Sequence, residues 1–494
     1  MFRRLLPLGL CLLAACAAES PTVEDTPVDS SDANLDYRAP NGKEFDVTGM
    51  AEVTLTGDDA ALEGDARATK LEELARLKID AITRALDAEL WRMWPEERRQ
   101  NEKNVVAMIR MSSPKRGDFM VDGNHALFSY WAQVAGPNDL LTSLPLVREG
   151  NKQLTKLQVD GAEVVLRWSE AAMTADAYPR YAEMFEDGVL DIAIHVGGDH
   201  YEPRNDLNES QAIYDELVAI GLRSPVGAFA DLKLDSAPFE GSLDVAGKTV
   251  AIRATLVHAD MAPDDKLDDL LTKFKARAKE ADVVIYRGHA GTQLDYSGVV
   301  VHYNPRVAIP ASDFDWLDLP SKYQMFVFDG CETYTGYADK LLENTAKDEK
   351  NTDIITSVNY GSSLVRAESV RALLHSLLDK SGSEPATARW IPRSWDAVLK
   401  RVNDQQRGPW TSIYGVHGLS DNPKLSMLAD ASKIGTACTL NSECGGIDSL
   451  CVKTQSGRVC GAACTDDSAC PNDTKCVTVS SRSLGTIKQC LPPR

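Results

Sequence analysis

Basic residues are scarce relative to acidic ones: 53 Lys and Arg stand against 73 Asp and Glu, a net charge of -20 over 494 residues. That imbalance argues against nucleic acid or anionic lipid headgroups as partners, because the overall field repels both. Long apolar runs are missing as well. Beyond the N-terminus no window approaches the roughly 18 consecutive apolar residues of a membrane-crossing helix. HExxH and other recognised zinc-ligand spacings are absent, as are the CxxC pairs of a zinc ribbon. Cysteine is nearly absent from the body of the chain. Of 11 cysteines, Cys11 and Cys16 lie at the start and eight crowd the end (Cys438, Cys444, Cys451, Cys460, Cys464, Cys470, Cys476 and Cys490), which leaves Cys331 by itself.

What is present begins with an export signal in residues 1–16: basic Arg3 and Arg4, an apolar stretch from Leu5 to Leu13, then small residues. Its end, Leu13-Ala14-Ala15-Cys16, resembles the lipobox of bacterial lipoproteins, which implies lipid on Cys16 and an envelope location. Ala17 in the following position implies the outer membrane, with the lipid as the sole membrane attachment. The alternative is a soluble secreted protein cut after Ala18. Residues 17–43 are expected to be an acidic tether: the stretch to about residue 37 is rich in Ser, Pro, Thr, Asp and Glu and cannot form a core.

With 43% hydrophobic residues the remainder can bury several cores. Residues 44–180 read as an α+β accessory domain. Leu71, Leu74, Ile82, Leu86, Leu90 and Met93 share a helical face ended by Pro95, and Asp160-Gly161 marks a hairpin. From residue 188 to 428 apolar runs alternate with amphipathic helices: Val189 to Val196, Val250 to Val257, Val283 to Tyr286, Met325 to Phe328 and Asp353 to Val358. That rhythm predicts an α/β fold with a mostly parallel sheet covered on both faces, whose ligands bind beyond the carboxyl ends of the strands. Residues 435–494 are a tandem repeat: Gly435-Thr-Ala-Cys438 is echoed by Gly461-Ala-Ala-Cys464. Such units are too small to fold on apolar burial alone, so a disulfide-rich module is expected, each bond contributing about 2 to 4 kcal/mol. The pairing is not readable. The module resembles cysteine-rich tails on exported myxobacterial proteins, which suits a binding or spacer role.

The strand ends carry the polar residues. His195 is followed by Asp199 and His200; His258 by Asp260; and the remaining two segments read YRGHAG around His289 and FVFDGC around Cys331. An apolar strand ending in His beside Gly, then another ending in a small residue and Cys, resembles the motifs of clan CD cysteine peptidases, the group of caspases, legumains, gingipains and clostripain-like enzymes. GLSDNPKLS, residues 418–426, is similar to the segment closing the gingipain-type catalytic domain. The resemblance implies a caspase-like three-layer sandwich, Cys331 as nucleophile, His289 as general acid and base, and a peptide or protein substrate. The backbone at Gly288, Ala290 and Gly330 would form the oxyanion surroundings. Ala290 departs from the Gly that usually follows the His, and its Cβ is expected to narrow the approach of substrate. Asp199, His200, Asp329, Ser362 and Ser363 are candidate pocket residues. No third triad member is visible. Independently, a strand turning toward a helix near Tyr337 places Cys331 where a helix dipole favours a thiolate.

Three other readings compete. His417 is a rival partner for Cys331. A metal-dependent hydrolase would draw ligands from His195, Asp199, His200, His258, Asp260 and His289. A surface-binding protein on an inactivated peptidase fold would use the tail and the Ala290 departure. No cofactor follows from these residues, and the sequence is silent on structural calcium.

Overall fold

Five buried apolar runs form the parallel middle of an eight-stranded sheet in a computed structural model. It describes residues 37–94, 107–111, 118–149, 152–199, 204–290, 298–359, 367–381, 389–404, 412–471 and 473–493. The expected export signal with Cys16, residues 17–36 of the tether, His200, Ser362 and Ser363 lie outside the described residues.

The strand order across this sheet is Tyr37–Arg38, Ile413–His417, Thr352–Val358, Gln324–Asp329, Val283–Arg287, Val189–Val196, Lys248–His258 and Phe239–Val245. The strands from Thr352–Val358 through Lys248–His258 run parallel, and the outer partners are antiparallel. Alternate side chains enter opposite cores because the strand period is two residues. Val283 and Ile285 join one cluster with residues of the helices Asn205–Ala219, Glu368–Leu377 and Trp395–Asp404. Val284 and Tyr286 join another with residues of Asp268–Glu280 and Tyr337–Leu342. Helices thus cover both faces, and the runs read as nearly unbroken apolar strings for that reason.

Residues 42–170 build a second, seven-stranded sheet, antiparallel throughout. The helix Gly64–Met93 covers it with Leu71, Ala75, Ile79, Ile82, Leu86 and Leu90. Leu74 and Met93 are only partly buried beside them. The expected tether ends earlier than its assigned boundary at 43. Tyr37 and Arg38 form the edge strand of the main sheet, opposite His417 and Val416, and Gly42 already opens a strand of the second sheet. Both sheets and the tail fall within one compact unit, Leu35–Arg494.

The tail contains four disulfides, Cys438–Cys451, Cys444–Cys460, Cys464–Cys476 and Cys470–Cys490, so each repeat closes on itself with its first cysteine joined to its third. Each repeat carries one hairpin. Gln489 of the second repeat bonds into the first, accepting from the Leu450 amide at 3.0 Å and donating to the Asp448 carbonyl at 2.8 Å.

Candidate active site

Register brings three strand ends side by side: Val196 pairs with Arg287, and Arg287 with Asp329. The Gly197 amide donates to the Arg287 carbonyl at 2.8 Å and the Gly288 amide to the Asp329 carbonyl at 3.1 Å, so pairing continues one residue further. His289 and Cys331 each lie two residues beyond the paired Arg287 and Asp329. Their loops touch: a Cβ added at Gly330 would lie 2.6 Å from the Ala290 Cβ and 2.9 Å from the Gly288 carbonyl oxygen. Glycine is required at 330 by that approach, since real Cβ atoms do not come so close.

The imidazole of His289 is 35% exposed, and its Nε2 lies 3.1 Å from Oδ1 of Asp199, whose side chain is only 8% exposed. The ring rests on Tyr303 with centroids 4.7 Å apart. Below it the buried Tyr286 hydroxyl donates to the His289 carbonyl at 2.6 Å and accepts from the Val300 amide at 3.0 Å. Asp199 therefore faces the histidine rather than an outer pocket wall. Sequence reasoning placed it near the site but missed this pairing. The available signal was its position three residues past a strand in register with the histidine strand.

Cys331 is half-buried and is the one described cysteine outside the disulfides. Its turn is fastened to the neighbouring strand Thr352–Val358. The Ser357 hydroxyl donates to the Gly330 carbonyl at 2.5 Å, and the Ser357 amide donates to the Thr333 hydroxyl at 2.8 Å. Amides of Glu332 and Tyr334 donate to the carbonyls of Asn359 and Ser357, both at 2.9 Å. Glu332 adopts φ +56°, a left-handed conformation held by these bonds. The helix does begin at Tyr337, but it spans only Tyr337–Leu342 and starts six residues past the thiol. A helix field fades within the first turn, so the expected dipole support for a thiolate is not available at Cys331.

Two further expectations are corrected. Gly288 is not an oxyanion donor, because its amide is committed to Asp329. Asp329 does not line a pocket: it is 1% exposed, and its carboxylate accepts from Arg287 at 2.7 Å, from the Tyr414 hydroxyl at 2.6 Å and from Ser369. Arg287 also donates to Glu209 at 2.7 and 3.2 Å. Burial raises the Glu209 carboxyl above its usual range while Arg287 pulls it back. This buried network lies directly beneath the strand ends and fixes their spacing; removing one partner would strand a buried charge. Ala290 is half-buried. Its side chain packs against the core cluster containing Phe328 and stands against Gly330.

Of the described members of the alternative ligand set, Asp199 and His289 meet, but His195, His258 and Asp260 do not join them at a distance that would share an ion. His195 is fully enclosed, edge-on to Phe274 at 5.0 Å, and burial, with Lys273 and Arg277, lowers its pKa to about 3. His258 is buried against Phe229, and burial lowers its pKa as well. Asp260 pairs with Arg204 at 2.8 Å. Among the described residues, the groups spaced to share an ion are disulfide cysteines alone. His417 is buried between Tyr37 and Tyr334 and bonded to Thr356 at 3.0 Å, which assigns it to packing. In the 418–426 segment, Asn422 donates to Asp353 at 2.8 Å, at the opposite end of the sheet from Cys331.

No family model matches the chain, and no curated protein does. Among solved structures, the chain has a weak likeness to the crystal structure of the Arg specific cysteine proteinase gingipain R, with 11% sequence identity and a TM-score of 0.27. The likeness covers 62% of this chain and 66% of that one, so the chain spans just under two thirds of that neighbour's length.

Proposed function

We propose that the chain is a cysteine endopeptidase with a caspase-like three-layer catalytic region over residues 188–428. The observation that carries the reading is the contact between the His289 and Cys331 loops at in-register strand ends, with His289 held by a shielded carboxylate. An ionised Asp199 accepts a hydrogen bond, so it holds the proton of His289 on Nε2 and leaves Nδ1 as the basic nitrogen. Asp199 then acts as an orienting residue. The Cys331 thiolate attacks the scissile carbonyl carbon, and its electron pair forms the C–S bond as the carbonyl oxygen takes negative charge. Main-chain N–H groups of Cys331 and Ala290 are the donors for that oxygen. Collapse breaks the C–N bond, and protonated His289 gives its proton to the leaving amine. Water, deprotonated by His289, then cleaves the thioester and restores the thiol.

The substrate is a peptide or protein; no nucleic acid is involved. Attachment to the bacterial envelope, at the outer membrane, would come from lipid on Cys16. A metal-dependent hydrolase is disfavoured because, among the described residues of its ligand set, His195, His258 and Asp260 stand apart from Asp199 and His289. A peptide library digested by the chain from residue 17 onward, beside its Cys331→Ala variant, tests the reading. Cleavage by the parent and none by the variant is expected; equal cleavage by both removes the nucleophile.

A further inference from the structure

The seven-stranded sheet holds the chain segment immediately after Cys331. Tyr334, three residues past the thiol, is fully buried, and its hydroxyl donates to the Glu44 carboxylate. Its amide donates to Ser357 at 2.9 Å, so one residue is bonded into both large sheets. Its ring meets Tyr37 edge-on at 4.9 Å. A second tie follows on the helix Tyr337–Leu342: Arg110 Nε donates to both carboxylate oxygens of Asp339, at 2.8 and 3.0 Å. Arg110 is itself buried and donates to Gln133. Glu44 and Arg110 lie on the strands Gly42–Thr54 and Met108–Met111, which flank the strand His125–Pro137.

Burying a carboxylate and a guanidinium is unfavourable, and apolar side chains would join two sheets at least as stably. What apolar contacts lack is direction. Charge-assisted hydrogen bonds on residues 334 and 339 are directional, as nonspecific packing is not, and both residues follow closely on Cys331. The opposite side of the same turn is already fixed by Ser357 and Thr333. We propose that Glu44, through Tyr334, and Arg110, through Asp339, are positioning residues for Cys331, so the N-terminal sheet completes the site rather than accompanying it. The proposal rests on the reading of Cys331 as nucleophile.

The test is the pH profile of Cys331 alkylation by iodoacetamide, between about pH 5 and about pH 9, read by mass spectrometry on the Cys331 peptide. It uses the chain from residue 17 onward, which retains every described residue, with folding checked by circular dichroism. Glu44→Ala and Tyr334→Phe are expected to displace the profile from the parent's and to slow alkylation near neutral pH on the order of tenfold, because the turn no longer holds Cys331 beside His289. Glu44→Gln keeps an oxygen that accepts from Tyr334 and is expected to retain the parent profile. Should Tyr334→Phe or Glu44→Ala not fold, Arg110→Met cuts the other tie, at the half-exposed Asp339, and carries the same expectation. Folded variants with the parent profile overturn the proposal. Peptide cleavage measured in parallel separates the two claims. A parent chain that cleaves nothing, yet whose profile moves with Tyr334, fails as a peptidase and keeps the positioning. Cleavage lost in Cys331→Ala with an unmoved profile keeps the peptidase and fails the positioning.

Discussion

Gly330 and Ala290 form a contact in which each limits the size of the other. With the Ala290 Cβ and the Gly288 oxygen 2.6 and 2.9 Å from where a Gly330 side chain would begin, Gly330→Ala must push the histidine and cysteine loops apart. Overpacking of this kind costs about 1 to 3 kcal/mol, and a displacement near 1 Å at reacting groups costs roughly a hundredfold in rate. Gly330→Ala is therefore expected to lose about two orders of magnitude in Cys331-dependent cleavage, with partial recovery in the double variant carrying Ala290→Gly. Recovery would be partial because the Gly288 oxygen remains close. Full cleavage by the single variant, measured as kcat/KM, would contradict the contact. Cys331 and His289 were legible in the sequence as candidates because each stands in the short polar segment that follows an apolar run. Asp199 was visible as a polar residue near the site, but its partner was not, since pairing depends on register between strands ninety residues apart. Glu44 and Tyr334 gave no signal at all: 290 residues separate them, and each alone is an ordinary strand or turn residue.

The parallel strands could be read as elements because burial on both faces forces continuous apolar runs, as in Val189–Val196. The outer strands were missed for the converse reason. Phe239–Val245 mixes buried and exposed positions, and Tyr37–Arg38 is two residues long, so neither stands out without its partner. The strand Thr352–Val358 carries a charge that its pattern does not explain. Asp353 is fully buried at the amino end and accepts from Tyr323 at 2.6 Å, Asn422 at 2.8 Å and Trp395 at 3.2 Å. Burial raises its pKa from 3.8 to about 7 against those bonds. A carboxyl whose pKa is raised by folding stabilises the fold fully below its unfolded value and loses that contribution as pH rises to the folded value. The window here runs from about pH 4 to about pH 7, and the shift corresponds to roughly 4 kcal/mol at most. Asp353→Asn keeps an acceptor for the three donors and cannot ionise. Its urea midpoint is expected to fall less than the parent's between about pH 5 and about pH 8. An identical fall in both chains would show that Asp353 is not the group responsible.

At the scale of the whole molecule, the disulfides and the free thiol lie at opposite ends of the main sheet. The tail docks through Lys424 and Ser426: the Thr465 amide donates to the Lys424 carbonyl at 2.7 Å, and the Ser426 amide to the Ala463 carbonyl at 3.0 Å. Asn422, just before this junction, bonds to Asp353 at the amino end of its strand, whereas Cys331 lies past the carboxyl ends. A strand of seven residues spans roughly 20 Å, so the tail is remote from the thiol. Each repeat is closed by its own two disulfides, so a lost bridge acts first on its own repeat and reaches the other only through the Gln489 hydrogen bonds. Replacing Cys470 and Cys490 together by Ser removes one bridge and should destabilise the second repeat by about 2 to 4 kcal/mol. Limited proteolysis is expected to cut within residues 461–494 first, while Cys331 alkylation stays within about twofold of the parent rate, because distant sites without shared partners act independently. A large fall in Cys331 reactivity in this variant would mean that the docked tail, through residues 422–426 and the strand beginning at Thr352, supports the turn on which the thiol sits.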